Sequence, residues 1–242
     1  MMFLVRICLM IGLFSCLGTS VLAQAARDED NPTCPPRTEM NFASWDAMSF
    51  RLELYAGQRI LIADGGVDAA AAFNLDSAIR ANQPIDEIWV RSPGGVASQG
   101  PALGLVIRSW GIPTRVPNGW WCVSACNFMF LGGPIRTIDP NGVYAVHMFT
   151  VVNNDEYESR IQSRREQGNV YNMLYEIARR EQSSAQTASA QNDFLIRMGV
   201  SRRLLTEVMY LQKADNFTEA DRSTIRCLTR EEMTRYNVVN SG

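Results

Sequence analysis

A serine, a histidine and a pair of glycines are the residues of this chain whose types and spacing could do chemistry. Ser124 lies within Trp120-Trp121-Cys122-Val123-Ser124-Ala125-Cys126-Asn127-Phe128-Met129-Phe130-Leu131-Gly132-Gly133. An apolar run enters this stretch and another leaves it, with small residues between. The pattern reads as a strand, a tight turn and a buried helix that opens at Ser124. A hydroxyl there sits at the positive end of a helix, where free N–H groups point outward. A nucleophile needs such a place, with a main-chain donor beside it to receive developing negative charge. The same position also suits an ordinary N-cap, so the serine alone decides nothing.

His147 is the chain's sole histidine and ends the apolar run Val143-Tyr144-Ala145-Val146-His147. A serine hydroxyl needs a base that titrates near neutrality. His147 is the direct choice, because the sole lysine, Lys213, lies in a polar stretch. Taken alone, a lone histidine at a strand end also fits a satisfied core residue. Upstream, Val90-Arg91-Ser92-Pro93-Gly94-Gly95 closes another apolar run. Glycines lack a Cβ, so backbone there can approach a ligand closely. With Ser124 they suggest a divided oxyanion hole, made of the Gly95 N–H and the Ala125 N–H.

These residues need a scaffold, and the chain supplies a strand–helix alternation. Arg51 to Tyr55 and Arg59 to Gly66 read as strands, Val67 to Ala81 as a helix, and Ile85 to Arg91 as a strand. Ser98 to Trp110 is helical, Pro113 to Val116 a short strand, and Arg136 to Ile138 and Val143 to His147 are further strands. This rhythm belongs to an α/β fold with a largely parallel sheet, whose sites gather where strands end and helices begin. Beyond His147 the pattern turns helical. Glu156 to Arg180 is one amphipathic run weakened at Gly168, Gln182 to Gln191 a polar face or joint, and Phe194 to Met198 and Arg202 to Leu211 are shorter pieces. Leu228 to Val239 reads as a capped helix followed by a last strand.

The net charge of −2 speaks against a nucleic-acid partner, which would need a basic surface. Met1 to Ala25 has the form of a signal peptide: Arg6, an apolar stretch to Leu22, then small residues for cleavage after Ala23 or Ala25. Export to the periplasm is therefore expected, with membrane contact only through that segment. Residues 26–48 read as a leader broken by prolines, and residues 49–242 as one domain. Cys34, Cys122, Cys126 and Cys227 remain after cleavage, an even number in an oxidising compartment. Three pairings are open. One would staple the turn that holds Ser124, joining Cys122 to Cys126 and leaving Cys34 with Cys227. No metal or other cofactor is expected, because the two thiols flank a strand-to-helix turn and His147 has a second claim on it.

The segment from Arg59 to His147 resembles the Clp-type serine peptidases, within the larger crotonase-like superfamily. The resemblance rests on Ser92-Pro93-Gly94-Gly95 as oxyanion loop, on Ser124 at the spacing of the nucleophile, and on Leu131-Gly132-Gly133, Pro140-Asn141 and Val146-His147 before the histidine. It implies a ββα-repeat core with a parallel sheet and a C-terminal helical appendage. It implies a Ser-His-Asp triad cleaving peptides or unfolded chains, and a homo-oligomeric ring. The position of the acid departs from the family: it falls near Ile225, so Asp221 is the first choice and Asp215 the second. Export removes the expectation of an ATP-driven partner. Two other classes stay open: a non-catalytic assembly protein that keeps the fold, and an acyl-CoA enzyme with the same two-donor hole.

Overall fold

The computed structural model describes Cys34 and residues 46–148, 155–168, 170–211 and 225–241. The expected signal segment, most of the expected leader, Lys213, Asp215 and Asp221 lie outside the described residues.

Apolar residues at Ile60 to Ala63 are almost fully buried, as expected of a strand covered on both faces. They belong to β2 (Gln58–Asp64), which pairs antiparallel with β1 (Ser49–Tyr55) and parallel with β3 (Glu87–Arg91). The sheet continues in parallel through β4 (Thr114–Val116) to β6 (Arg136–Ile138). A second sheet runs β5 (Trp121–Val123), β7 (Val143–His147), β8 (Ile225–Cys227), with β5 and β7 parallel and β8 antiparallel. The architecture is α/β.

The two sheets are stitched past the end of β3, and the paths leaving β2 and β3 are bridged to each other. Past β3, Ser92 bridges to Cys122 of β5; its N–H donates to Trp121 O and its carbonyl accepts from Val123. Past β2, Val67 bridges to Gly95. This bridge delays the first helix. The expected start at Val67 is wrong, because the Val67 carbonyl, which a helix would give to the Ala71 N–H, accepts from Val96 N–H at 2.8 Å. Helix α1 is Ala71–Asn82.

Helix α1 buries Ala71, Leu75 and Ile79, one face at helical spacing. Helix α2 (Gln99–Trp110) buries Leu103 and Ile107, and α3 (Ala125–Leu131) is buried on every side. The amphipathic run after His147 splits at Gly168, whose φ of 65° ends α4 (Asp155–Glu166) before α5 (Val170–Arg197) begins. The polar stretch Gln182 to Gln191 is continuous helix within α5, which buries Gln191, Phe194 and Leu195 near its end. Leu204–Val208 is a wide turn and Met209–Leu211 a tight one.

Helix α6 (Arg230–Arg235) starts in a capping box between Thr229 and Glu232. The last strand expected around Val238 and Val239 does not form. Both are buried, but the carbonyls of Asn237 and Val238 go to the guanidinium of Arg136 instead of a strand partner. The strand of this region is β8, before the helix.

Candidate active site

Ser124 occupies the N-cap position of α3 and does not cap it. Its side chain accepts no hydrogen bond from the helix, and its backbone has φ 59° and ψ −121°. That is a costly conformation for a residue with a Cβ. Three tethers hold it. Its N–H donates to Ala145 O on β7 at 3.3 Å, its carbonyl accepts from Asn127 N–H at 2.9 Å, and a disulfide joins Cys122 to Cys126 across it. A second disulfide joins Cys34 to Cys227 of β8.

The Gly94-Gly95 loop lies directly against this turn. A Cβ on Gly94 would meet Ser124 Cβ at 2.6 Å and Val123 O at 2.8 Å. A Cβ on Gly95 would meet Val67 O at 2.2 Å. Both glycines have positive φ, 96° and 143°. Only glycine fits at either place. The ladder with Val67 uses Gly94 O and Val96 N–H and passes over Gly95. In a parallel bridge, the skipped residue turns its own N–H to the opposite side, so the Gly95 N–H points away from Val67.

His147 closes β7, two residues past the carbonyl that holds Ser124. Val143 and Ala145 face a small apolar cluster with Trp121, Val123 and Cys227, while Tyr144 and Val146 face the main core. Alternation along the strand gives His147 the side of Ala145. The Ser124 turn and the histidine thus stand at adjacent parallel strand ends. Among the described residues, no hydrogen bond joins the Ser124 hydroxyl to the His147 ring.

His147 Nδ1 lies 2.7 Å from Met148 O. A carbonyl only accepts, so Nδ1 carries the hydrogen and Nε2 of the neutral ring keeps its lone pair. Burial holds the ring's pKa below the ordinary 6.5, against the opposing effect of the Met148 carbonyl. The imidazole is therefore a neutral base at neutral pH. A carboxylate from Asp221 or Asp215 would have to displace Met148 O to occupy the orienting place.

Asn127 went unremarked in the sequence. It is 4% exposed and its Nδ2 donates to Ala145 O at 2.7 Å, while its Oδ1 has no partner among the described residues. The readable signal was a single amide inside the otherwise apolar run from Ala125 to Leu131.

Nearby, Arg91 pairs with Asp64 and lies over the Trp120 ring at 4.9 Å, tying the ends of β2 and β3 to the segment entering β5. Among the described residues, no group of three His, Cys, Asp or Glu could hold a metal, and no helix is long and apolar enough to cross a membrane.

No protein-family model matches the chain, and no curated protein matches it in sequence. Similar solved structures include an Asn-to-Asp mutant of ClpP1 from Listeria monocytogenes. It is 16% identical with a TM-score of 0.44, over 72% of this chain and 85% of that one. An enoyl-CoA hydratase from Bacillus halodurans is similar at 16% identity and a TM-score of 0.32, over 40% of this chain and 53% of the hydratase. These likenesses leave the chemistry of the site to the residues themselves.

Proposed function

We propose that the protein is an exported, Clp-like serine peptidase acting on peptides or unfolded chains in the periplasm. The observation that carries this reading is the state of Ser124: a helix-start serine that does not cap, held at positive φ beside Gly94 and next to the strand end bearing His147. A purely structural serine would gain from capping and from a relaxed backbone.

Ser124 Oγ attacks the carbonyl carbon of the scissile bond while His147 Nε2 takes its proton. The carbonyl oxygen becomes an oxyanion between the N–H groups of Gly95 and Ala125. On collapse, His147 returns the proton to the leaving amine and an acyl-Ser124 ester remains. Water, deprotonated by the same Nε2, then hydrolyses the ester. Asp221, or Asp215 as second choice, is the proposed third member. The two disulfides suit an oxidising compartment, and assembly into a ring is part of the same proposal.

A second reading, a non-catalytic assembly protein, is favoured by one observation: among the described residues, the imidazole is bound to a neighbouring carbonyl and not to a carboxylate or to Ser124. A fluorophosphonate probe separates the two. Covalent labelling of the wild-type chain, lost in Ser124→Ala and in His147→Ala, is the expected result. A folded wild-type protein that stays unlabelled favours the assembly reading.

A further inference from the structure

We propose that Asn127 is a positioning residue that locks the Ser124 turn to the strand carrying His147; this rests on the peptidase reading. Asn127 is one turn into α3, yet its amide reaches across to β7. Its Nδ2 donates to Ala145 O at 2.7 Å. The same carbonyl accepts the Ser124 N–H at 3.3 Å, and Asn127's own N–H donates to Ser124 O. One side chain thereby closes a loop from Ser124 through α3 to Ala145 and back. His147 follows Ala145 by two residues on a short strand, so fixing Ala145 fixes where the imidazole starts.

Stability alone accounts poorly for this amide. Its orientation is set, because Ala145 O can only accept, so Oδ1 must face away and is left buried without a partner among the described residues. A buried orphan acceptor costs free energy that an apolar residue of the same shape would not incur. Ala145 O would keep the Ser124 N–H without it. The side chain is therefore worth its desolvation mainly for the geometry that it imposes on the pair.

The test compares the rate of fluorophosphonate labelling in the full chain with intact disulfides. Asn127→Leu keeps the shape and removes both polar atoms. It is expected to melt within a few degrees of wild type and to label at least about tenfold more slowly, since small misplacements of a reacting pair are costly. Asn127→Asp replaces the donor with a carboxylate that repels Ala145 O until it is protonated. The charged and titratable groups on the elements packed against α3 are Arg108, Glu87, Arg91, Arg115, Tyr144 and His147, with Asp193 and Arg197 on α5 beside the contact of Phe194 with Phe128. Arg108 binds the carbonyls at the far end of α3, and Glu87 and Arg115 pair with each other. Burial raises the pKa of the introduced carboxyl. Labelling of Asn127→Asp, relative to wild type at each pH, is expected to recover as pH falls, when the carboxyl can donate to Ala145 O.

Asn127→Leu labelling within twofold of wild type overturns the inference. Should that variant not fold, Asn127→Asp following the wild-type pH profile overturns it, and relative recovery at low pH supports it. A wild-type chain that does not label overturns the peptidase reading and this inference with it, an outcome distinct from equal labelling of wild type and variant.

Discussion

Ser124 carries a backbone conformation that costs about 1–3 kcal/mol for a residue with a Cβ. The cost is met by the bonds and the disulfide around it. Glycine adopts positive φ freely, so Ser124→Gly should raise the stability by about 1 kcal/mol while abolishing labelling. Ser124→Ala keeps the unfavourable φ and should not gain this stability. Urea unfolding of the three proteins checks the order, and equal midpoints for the glycine and alanine variants would sink it. The imidazole obeys a related balance. Its pKa is lowered by burial, so folding favours the neutral ring. This contribution to stability is fully present above 6.5, the ordinary histidine value, and declines as pH falls below it.

At the scale of elements, Arg136 of β6 joins parts of the chain that share no sheet. Its guanidinium, 1% exposed, donates to Val238, Asn237 and Gly133 carbonyls and, at 3.4 Å, to Met198 O. Burial pulls its pKa down to about 10, with Arg108 adding to the effect, so it still carries its charge at neutral pH. It holds the segment after α6 and the turn after α5 against the end of α3. Arg136→Met should cost about 3 kcal/mol or more by orphaning these carbonyls, read as a lower midpoint in urea. A loss under about 0.5 kcal/mol, the range of an ordinary surface change, would show that water replaces the guanidinium. The same contact explains why Val238 and Val239 are buried without forming a strand. The sequence showed their apolar character, but not that an arginine from a distant strand would take the carbonyls a neighbouring strand needs.

Over the whole molecule, the two disulfides act on different quantities. Cys34 and Cys227 are separated by 193 residues, Cys122 and Cys126 by 4. Loop entropy gives the long closure about 5 kcal/mol and the short one about 2 kcal/mol. Cys34→Ser with Cys227→Ser should therefore lower the unfolding midpoint more than Cys122→Ser with Cys126→Ser. The second pair of changes should instead show in the labelling rate, because it frees the residues on either side of Ser124. If both pairs changed only stability, the short disulfide would have no part in the site.

The sequence alone determined the α/β alternation, the strand at Arg59 to Asp64, the turn at Ser124 and the identity of the one available imidazole. These follow from apolar periods of two and of about three and a half residues, and from counting residue types, both of which are local. Tertiary structure decided that Val67 extends a ladder instead of starting a helix, since that depends on the amide of Val96. It decided which cysteines meet, that Ser124 does not cap, that Met148 O faces the imidazole, and that Asn127 ties α3 to β7. Each is a pairing between groups brought close by the folded path, and a hydrogen-bond partner chosen across that path leaves no periodic trace in the chain.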